Sequence, residues 1–110
     1  MARKPGRLTL RLSHNAERTL LEIWRWNATT YSESHVDAYI QFLMQRTYTL
    51  ETAYLDGRVV PTNQAFRYTT FRKRSRGYGY VVVYQVRETD LYVIDFFHTA
   101  QDWQARVAEE

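Results

Sequence analysis

The run from Tyr80 to Val86 constrains the fold more than any other part of this 110-residue chain. Its sequence, YVVVYQV, would place apolar side chains on both faces of a strand, because successive side chains point to opposite sides. One face would carry Tyr80, Val82, Tyr84 and Val86, and the other would carry Val81, Val83 and Gln85. Apolar residues on both faces indicate a central strand that is covered on each side. The rest of the chain must supply both covers, or leave one face for a partner.

Two further β-type runs flank this strand. Phe66–Lys73, Tyr78–Arg87 and Leu91–Phe97 are all rich in Val, Tyr, Thr, Phe and Ile, which favours strands. The segments between them, Ser75-Arg76-Gly77 and Glu88-Thr89-Asp90, are short enough for hairpin loops. The second half of the chain is therefore predicted to form a three-stranded antiparallel meander.

Residues 8–27 have the spacing of one short strand followed by one helix. Leu8–Leu12 alternates apolar and polar residues, and Ser13 or Asn15 could cap the helix that follows. The predicted inward face of this helix carries Ala16, Leu20, Ile23, Trp24 and Asn27. Trp26 lies two positions from Trp24, so we expect Trp24 in the core and Trp26 at the surface.

A second helix is predicted from Glu33 to Tyr54. Its apolar stripe alternates spacings of four and three and consists of Val36, Ile40, Leu43, Thr47, Leu50 and Tyr54. The short connection makes the two helices an antiparallel hairpin. Gly57 is expected to end the second helix in the left-handed conformation, and Pro61 to keep the next loop extended.

The predicted order is β-α-α-β-β-β. It describes an α+β fold in which an N-terminal strand and a helical hairpin pack on a mainly antiparallel sheet containing the meander. Residues 1–7 are expected to be a flexible basic tail, and residues 8–110 a single domain. The chain has no cysteine, which suits the cytoplasm, and no apolar run near the ~20 residues that cross a bilayer. We therefore expect a cytoplasmic protein without a membrane partner.

Positive charge is concentrated in one part of the chain. Residues 57–87 hold seven of the 15 lysines and arginines and no acid, although the net charge is only +3. This distribution predicts a directed positive field that suits an acidic partner. His14, His35 and His98 have no ligand spacing with acids, so neither a metal nor another cofactor is expected.

Three segments carry a resemblance to a known family. They are GRVVP at Gly57–Pro61, GYVVVYQV at Gly79–Val86, and FFHTAQD at Phe96–Asp102. Together with the order of elements, they resemble the RelE/ParE superfamily of bacterial type II toxins over roughly residues 8–103. The resemblance implies a toxin that is neutralised by a cognate antitoxin, a segment of which folds onto the toxin surface.

The superfamily contains two target classes, which differ at two positions. RelE-like members cleave mRNA on the ribosome and carry an arginine directly after the Gly-Tyr pair and another after the last strand. Val81 and Gln101 occupy these positions here, and neither can supply the charge. The resemblance therefore lies closer to ParE-like members, which serve plasmid stabilisation and poison DNA gyrase without nuclease chemistry of their own.

Two alternatives remain beside gyrase poisoning. One is a ribosome-dependent endoribonuclease, an enzyme that would use Arg72, Lys73, Arg74 and His98. The other is a degenerate, non-toxic member that acts only as a binding module. The predicted surface for target or antitoxin is the set Arg67, Arg72, Arg74, Arg76 and Trp103.

Several of these side chains can be interpreted either as functional or as purely structural. His98 could be a general acid near neutral pH, or a hydrogen-bonded residue at a strand end. Trp103 could anchor a partner, or fold back over the sheet and close the core. The tyrosines near the cations, Tyr68, Tyr78, Tyr80 and Tyr84, could stack on nucleic acid bases. For Tyr80 and Tyr84 a place in the core is the favoured interpretation.

Overall fold

The computed structural model describes residues 6–73 and 77–108. The elements are β1 (Thr9–Leu12), α1 (His14–Thr30), α2 (Glu33–Ala53), a 3₁₀ turn (Tyr54–Asp56), β2 (Arg58–Val60), β3 (Asn63–Phe71), β4 (Tyr80–Arg87), β5 (Asp90–His98) and α3 (Trp103–Val107). Within these residues the strands form one five-stranded sheet of order β1-β5-β4-β3-β2. Only β1 runs parallel to its neighbour, β5, and the other pairings are antiparallel.

The predicted α+β order and the C-terminal meander are confirmed, with two additions. β2 is a strand of three residues that the sequence pattern did not predict, because so short a run has no readable alternation. Pro61 and Thr62 turn the chain from β2 into β3, rather than extending the loop. The second addition is α3, a short helix of five residues near the C-terminus.

The strand boundaries differ slightly from the predicted ones. β3 begins earlier than expected and ends at Phe71, so Lys73 lies beyond the strand. Arg87 pairs with Asp90, which leaves Glu88 and Thr89 as the turn, and Glu88 takes a positive φ of 52°. Ser75 and Arg76 of the other predicted hairpin loop lie outside the described residues.

Serine side chains cap both long helices. Ser13 is the N-cap of α1, and its hydroxyl oxygen accepts a hydrogen bond from the Ala16 N–H at 2.9 Å. Ser32 performs the same role for α2 by accepting from the His35 N–H. These bonds satisfy N–H groups that lack a partner in the first helical turn. Of the two caps that the sequence offered for α1, the structure uses Ser13.

The prediction that Gly57 takes the left-handed conformation is wrong. Its φ of −70° and ψ of 154° are extended, and the polypeptide leaves α2 through the 3₁₀ turn instead. A Cβ at this position would lie less than 3.0 Å from the Tyr84 side chain. Glycine is required here by the close approach of a neighbouring ring and not by its backbone angles.

Both faces of the sheet are covered. The first core lies under α1 and α2 and contains, among others, Ile23, Leu43, Leu50, Val82, Tyr84, Val93 and Phe96. The second core lies on the opposite face and consists of Val60, Phe66, Val81, Val83, Ile94, Phe97 and Val107. Val107 comes from α3, so the C-terminal segment supplies part of the second cover. The two-faced central strand is therefore confirmed.

Candidate functional site

The ends of β3, β4 and β5 meet at one end of the sheet. Phe71 pairs with Tyr80, and Tyr80 pairs with His98, so these residues form one row across three strands. Arg72 and Lys73 follow directly after Phe71. Because neighbouring strands lie about 4.8 Å apart, the β3 and β5 backbones are separated by about 10 Å here. The structure thus brings Arg72, Lys73 and His98 to one sheet end, with the strand of Tyr80 between them.

Gly79 makes this end compact. Its N–H donates to the Thr99 hydroxyl at 3.1 Å, and its carbonyl accepts from the Thr99 N–H at 3.0 Å. On the other side, a Cβ on Gly79 would lie less than 3.0 Å from the Phe71 carbonyl oxygen and the Arg72 side chain. The absence of a side chain therefore lets the end of β3 approach the start of β4 closely.

Arg72 and Lys73 form an exposed cationic pair. The Arg72 Nε donates to the Gly77 carbonyl at 3.1 Å, which leaves its terminal nitrogens for other partners. The salt bridges among the described residues join Arg7 to Glu51 and Arg11 to Asp90, and neither includes this pair. Arg74 and Arg76, predicted for the same patch, lie outside the described residues.

Arg67 lies deeper than the other predicted cations. Its Nη1 donates to the Gly57 carbonyl at 2.8 Å, and the side chain is half-buried. Burial raises the pKa of Tyr84, and the nearby Arg67 charge acts in the opposite direction. The hydrogen bond from Arg67 to Gly57 helps to hold the chain where it passes from the helices into β2.

His98 is held by its own loop. Its Nδ1 accepts from the Ala100 N–H at 3.1 Å, and its backbone N–H donates to the Gln101 Oε1 at 2.8 Å. A ring nitrogen that accepts a backbone N–H carries no proton, so the proton of the neutral ring is on Nε2. The ring also contacts Tyr78 and Tyr80, with centroid distances of 5.1 and 5.3 Å. These contacts match the structural reading of His98 as a hydrogen-bonded residue at a strand end.

Val81 and Gln101, the two positions that distinguish the target classes, both make contacts within the fold. Val81 is 2% exposed in the second core, where its side chain packs in apolar surroundings. Gln101 uses its side-chain oxygen to bind the His98 N–H. Neither position presents a charge to the sheet end.

An open cavity of about 850 Å³ lies between the helical hairpin and this sheet end. Its lining combines α1, α2, both central strands and the C-terminal segment, and the aromatic members are Trp26, Tyr31, His35, Tyr39, Phe96, Phe97, Tyr78, Tyr80 and His98. Burial, with a smaller contribution from Tyr80, raises the pKa of Tyr39 to about 12. Burial also raises the pKa of Tyr80, so both phenols stay neutral and can donate hydrogen bonds at physiological pH.

The tryptophans separate into supporting and exposed side chains. Trp103 packs against Tyr68 with a centroid distance of 4.6 Å and lies on the second core. Trp24 is partly buried, and its Nε1–H donates to Asp37 at 2.9 Å. Trp26 is 66% exposed on the rim of the cavity, as predicted. Tyr84 is fully buried, which confirms the core interpretation for this residue.

Sequence reasoning missed Tyr39 and Arg106 as lining residues of the cavity. Tyr39 lies three positions after Val36 and four before Leu43, so helical spacing would have placed it beside the apolar stripe. Arg106 had no such signal, because its place depends on how the C-terminal segment folds back. Across residues 6–73 and 77–108, no cluster of His, Cys, Asp and Glu could hold a metal ion. In the same part of the chain, no helix is long and apolar enough to cross a membrane.

One comparison with known proteins shows a family, and another shows a shared fold. Residues 10–103 match the family model described as the ParE toxin of the type II toxin–antitoxin system, parDE. A solved structure described as the chromosomal ParDE toxin–antitoxin system from P. aeruginosa matches with a TM-score of 0.70 at 12% identity. The match covers 82% of this chain and 94% of that one, and at this identity it shows a shared fold. No curated protein matches the sequence significantly.

Proposed function

The chain belongs to the ParE toxin family of type II toxin–antitoxin systems, and from this membership we propose that it inhibits growth by binding and poisoning DNA gyrase. A cognate antitoxin neutralises it in the cytoplasm, and the pair serves plasmid stabilisation. The toxin acts by binding and performs no chemistry of its own. The family match over residues 10–103 is the observation that carries this proposal.

The arrangement at the sheet end supports binding rather than phosphodiester cleavage. Cleavage of RNA needs charge stabilisation at the reacting phosphate together with a proton donor. Val81 is buried in the second core, and the Gln101 side chain is bonded to the backbone of His98. Arg72 and Lys73 could hold a phosphate, but a strand separates them from His98.

The partner surface in this proposal is the cationic sheet end. Arg72 and Lys73 are exposed without salt bridges among the described residues, and the neighbouring Arg74 and Arg76 add to their charge. Arg67 and Trp103 contribute indirectly, because Arg67 lies on β3 and Trp103 packs against Tyr68 of β3, the strand that ends just before these cations. Such a surface steers an acidic antitoxin segment, or the phosphates of gyrase-bound DNA, toward the toxin.

A supercoiling assay with purified gyrase tests the target. Relaxed plasmid, gyrase and ATP are incubated with increasing toxin, and detergent and protease treatment then reveal trapped cleaved DNA. We expect loss of supercoiling and accumulation of linear plasmid, and no linear plasmid when gyrase is omitted. Supercoiling that is undisturbed at large toxin excess would remove gyrase as the target.

Primer extension on mRNA from a translating extract tests the alternative enzyme in parallel. Codon-positioned cuts that disappear when Arg72, Lys73, Arg74 and His98 are replaced together would establish ribosome-dependent cleavage instead. If induction of the chain arrests no growth and neither assay responds, the protein is a binding module.

A further inference from the structure

Phe96 and His98 turn their backbone groups away from β4. The Thr99 N–H is bonded on the β4 side to the Gly79 carbonyl, and alternate residues of an antiparallel strand face opposite sides. β1 pairs with β5 only as far as Val93, so no strand of the described residues receives these outward groups. They lie instead on the side of the open cavity of about 850 Å³, which Phe96 and His98 both line.

Side chains occupy both outward N–H groups of this edge. Asp95 Oδ1 accepts from the Phe96 N–H at 2.8 Å, and Gln101 Oε1 accepts from the His98 N–H at 2.8 Å. The Gln101 N–H in turn donates to the His98 carbonyl at 2.9 Å. A peptide strand therefore finds no donor on this edge. The Phe96 carbonyl remains an acceptor, because no donor of the described residues is bonded to it.

Three further polar groups of the cavity have no protein partner in the described part of the chain. Two are the hydroxyls of Tyr39 and Tyr80, whose ring centroids lie 6.0 Å apart. The third is the Nε2–H of His98, since Nδ1 is held by the Ala100 N–H. No side-chain polar atom that is fully buried in residues 6–73 and 77–108 lacks a partner, so these groups are open to solvent. A ligand in the cavity can reach all three.

Aromatic rings line the cavity from two sides. Trp26 and Tyr31 come from α1 and its C-terminal end, and both rings are more than half exposed. Tyr78 comes from the sheet end, is 74% exposed and lies against the His98 ring at a centroid distance of 5.1 Å. Exposed rings of this kind are stacking surfaces for flat heterocycles, and stacking of one base contributes about 1–3 kcal/mol.

Cations surround the same end of the sheet. Arg106 lines the cavity, and Arg72 and Lys73 follow the strand that pairs with Tyr80. None of the three cations takes part in a salt bridge among the described residues. The acids of the lining are Glu22 on α1 and Asp95, whose carboxylate is already bonded to the fold. The charge at the sheet end therefore suits a phosphate.

We propose that this cavity binds one nucleotide, with the base against the aromatic rings and the phosphate toward Arg72, Lys73 and Arg106. Every nucleobase has a flat face for stacking and an edge that carries hydrogen-bonding groups, which the phenols and the Phe96 carbonyl can pair. The volume lies within the roughly 300–1,000 Å³ of small-molecule sites. An apolar helix fits less well, because it would cover these polar groups without pairing them. The site does not depend on gyrase being the target.

Short oligonucleotides test the proposal with the full-length chain. The ligand is a five-residue oligodeoxyadenylate, and its matched control is a strand of five abasic deoxyribose phosphates, which keeps the charge and removes the bases. In amide NMR spectra, the oligodeoxyadenylate should shift the indole N–H of Trp26 and the amides of Phe96 and His98. Its affinity should exceed that of the abasic strand by at least about tenfold, the value of one stacked base.

Protein variants locate the base. Tyr39→Phe/Tyr80→Phe keeps the rings and removes two hydroxyls that bond to no described residue. It should lower the affinity at least about fivefold at an unchanged unfolding midpoint. Trp26→Ala removes an exposed ring and should lower the affinity about tenfold. Tyr48 of α2, which is half exposed and does not line the cavity, supplies the matched controls Tyr48→Phe and Tyr48→Ala. Both controls should bind like the unmodified chain.

A comparison with deoxyadenosine monophosphate identifies the source of the nucleotide. If the site takes a base of a single strand, the oligodeoxyadenylate should bind at least about tenfold tighter, and Arg72→Gln/Lys73→Gln should reduce this advantage. If it takes a free nucleotide, the two ligands should bind equally and respond alike to Tyr39→Phe/Tyr80→Phe. Either result supports the base site.

Other outcomes would overturn the proposal. Equal affinity for the abasic strand would show that only phosphates are bound. Unchanged affinity of both Trp26→Ala and Tyr39→Phe/Tyr80→Phe would place the ligand outside the cavity. No binding of either nucleotide ligand at about 1 mM would reject the site. Binding of an amphipathic leucine and glutamate helix at the same resonances, without a response to nucleotides, would assign the cavity to a partner helix. Gyrase is absent throughout, so these outcomes are separate from that of the supercoiling assay.

Discussion

The Tyr84 hydroxyl occupies the space that a side chain on Gly57 would need. A Cβ on Gly57 would lie less than 3.0 Å from the Tyr84 hydroxyl oxygen. The hydroxyl donates to the Tyr54 carbonyl at 2.7 Å, deep in the first core. A single tyrosine of the central strand thereby binds the end of the helical hairpin at the point where the chain enters β2.

Replacing Gly57 by alanine should destabilise the fold by about 1–3 kcal/mol, the usual range for overpacking. Tyr84→Phe should cost about 1–3 kcal/mol for a different reason, because the Tyr54 carbonyl loses its partner. In the double variant the clash with the hydroxyl is absent, so its cost should be smaller than the sum. Urea denaturation measures all three, and Gly6→Ala, with no atom near its Cβ, is the control. Strict additivity would contradict the contact.

Glu51 should make stability depend on pH. The Leu10 N–H and then the Arg7 side chain hold the pKa of Glu51 below its ordinary value of 4.5. A lowered folded pKa adds stability that is fully present above this value and is lost as the pH falls through the folded pKa. Glu51→Gln should therefore cost about 1–2 kcal/mol at pH 7, and this difference should shrink below pH 4.5. Urea midpoints from pH 7 to pH 3 measure it, and a constant difference would contradict the assignment.

Arginine at position 81 should destabilise the fold strongly. Val81 is 2% exposed in the second core, so a guanidinium there would be buried without a partner. We expect a loss of about 3–5 kcal/mol for Val81→Arg. Val86→Arg on the same strand is the matched control, because Val86 is 39% exposed and should tolerate the change. Equal unfolding midpoints for the two variants would show that position 81 has access to solvent.

Replacement of Trp103 should lower the stability of the fold, whereas replacement of Trp26 should not. Trp103→Ala removes the contact with Tyr68 and uncovers part of the second core, which should cost about 2 kcal/mol. Trp26→Ala should leave the unfolding midpoint nearly unchanged, because the side chain is 66% exposed. If Trp26 contacts a partner at the cavity rim, its loss should appear in binding of the antitoxin or target alone. Thermal unfolding and pull-down assays separate these effects.

His98→Asn should preserve growth inhibition if the toxin has no chemistry of its own. The asparagine oxygen can take the place of Nδ1 as acceptor for the Ala100 N–H, while the titratable ring is lost. Growth after induction and the supercoiling assay should match those of the unmodified chain. Loss of toxicity at an unchanged unfolding midpoint would instead point to a role for the imidazole in the mechanism.

Local patterns in the sequence predicted most of the fold. The stripe Val36–Tyr54 fixed the face of α2, and Ser13 supplied the cap of α1, because both signals depend on spacing of a few residues. β2 was missed, since its three residues become a strand only by pairing with β3. Gly57 was recognised as necessary but for the wrong reason, because the conflict with Tyr84 joins positions far apart in sequence.

Less of the candidate site than of the fold could be predicted from the sequence. The acid-free run of residues 57–87 indicated a basic surface, and Val81 indicated that one cation of the RNA-cutting relatives is missing. Tyr39 and Arg106 could not be placed in the same cavity as His98 without knowing how the helical hairpin and the C-terminal segment pack. The sequence predicted Arg67 as a surface cation, yet its guanidinium donates a hydrogen bond to the Gly57 carbonyl.

The sequence by itself determined the order of the main elements, the two-faced central strand and the concentration of positive charge, because periodicity and composition act along the chain. Only the tertiary structure decided which of the described cations form salt bridges, which face of β4 lies under α3, and how each edge of the sheet is covered within residues 6–73 and 77–108. Glu51 closes one edge by reaching Leu10 across 41 positions, and among the described residues no strand pairs with the outer side of Thr69–Phe71. Such relationships depend on distances between remote residues, and these distances are set only when both cores have packed.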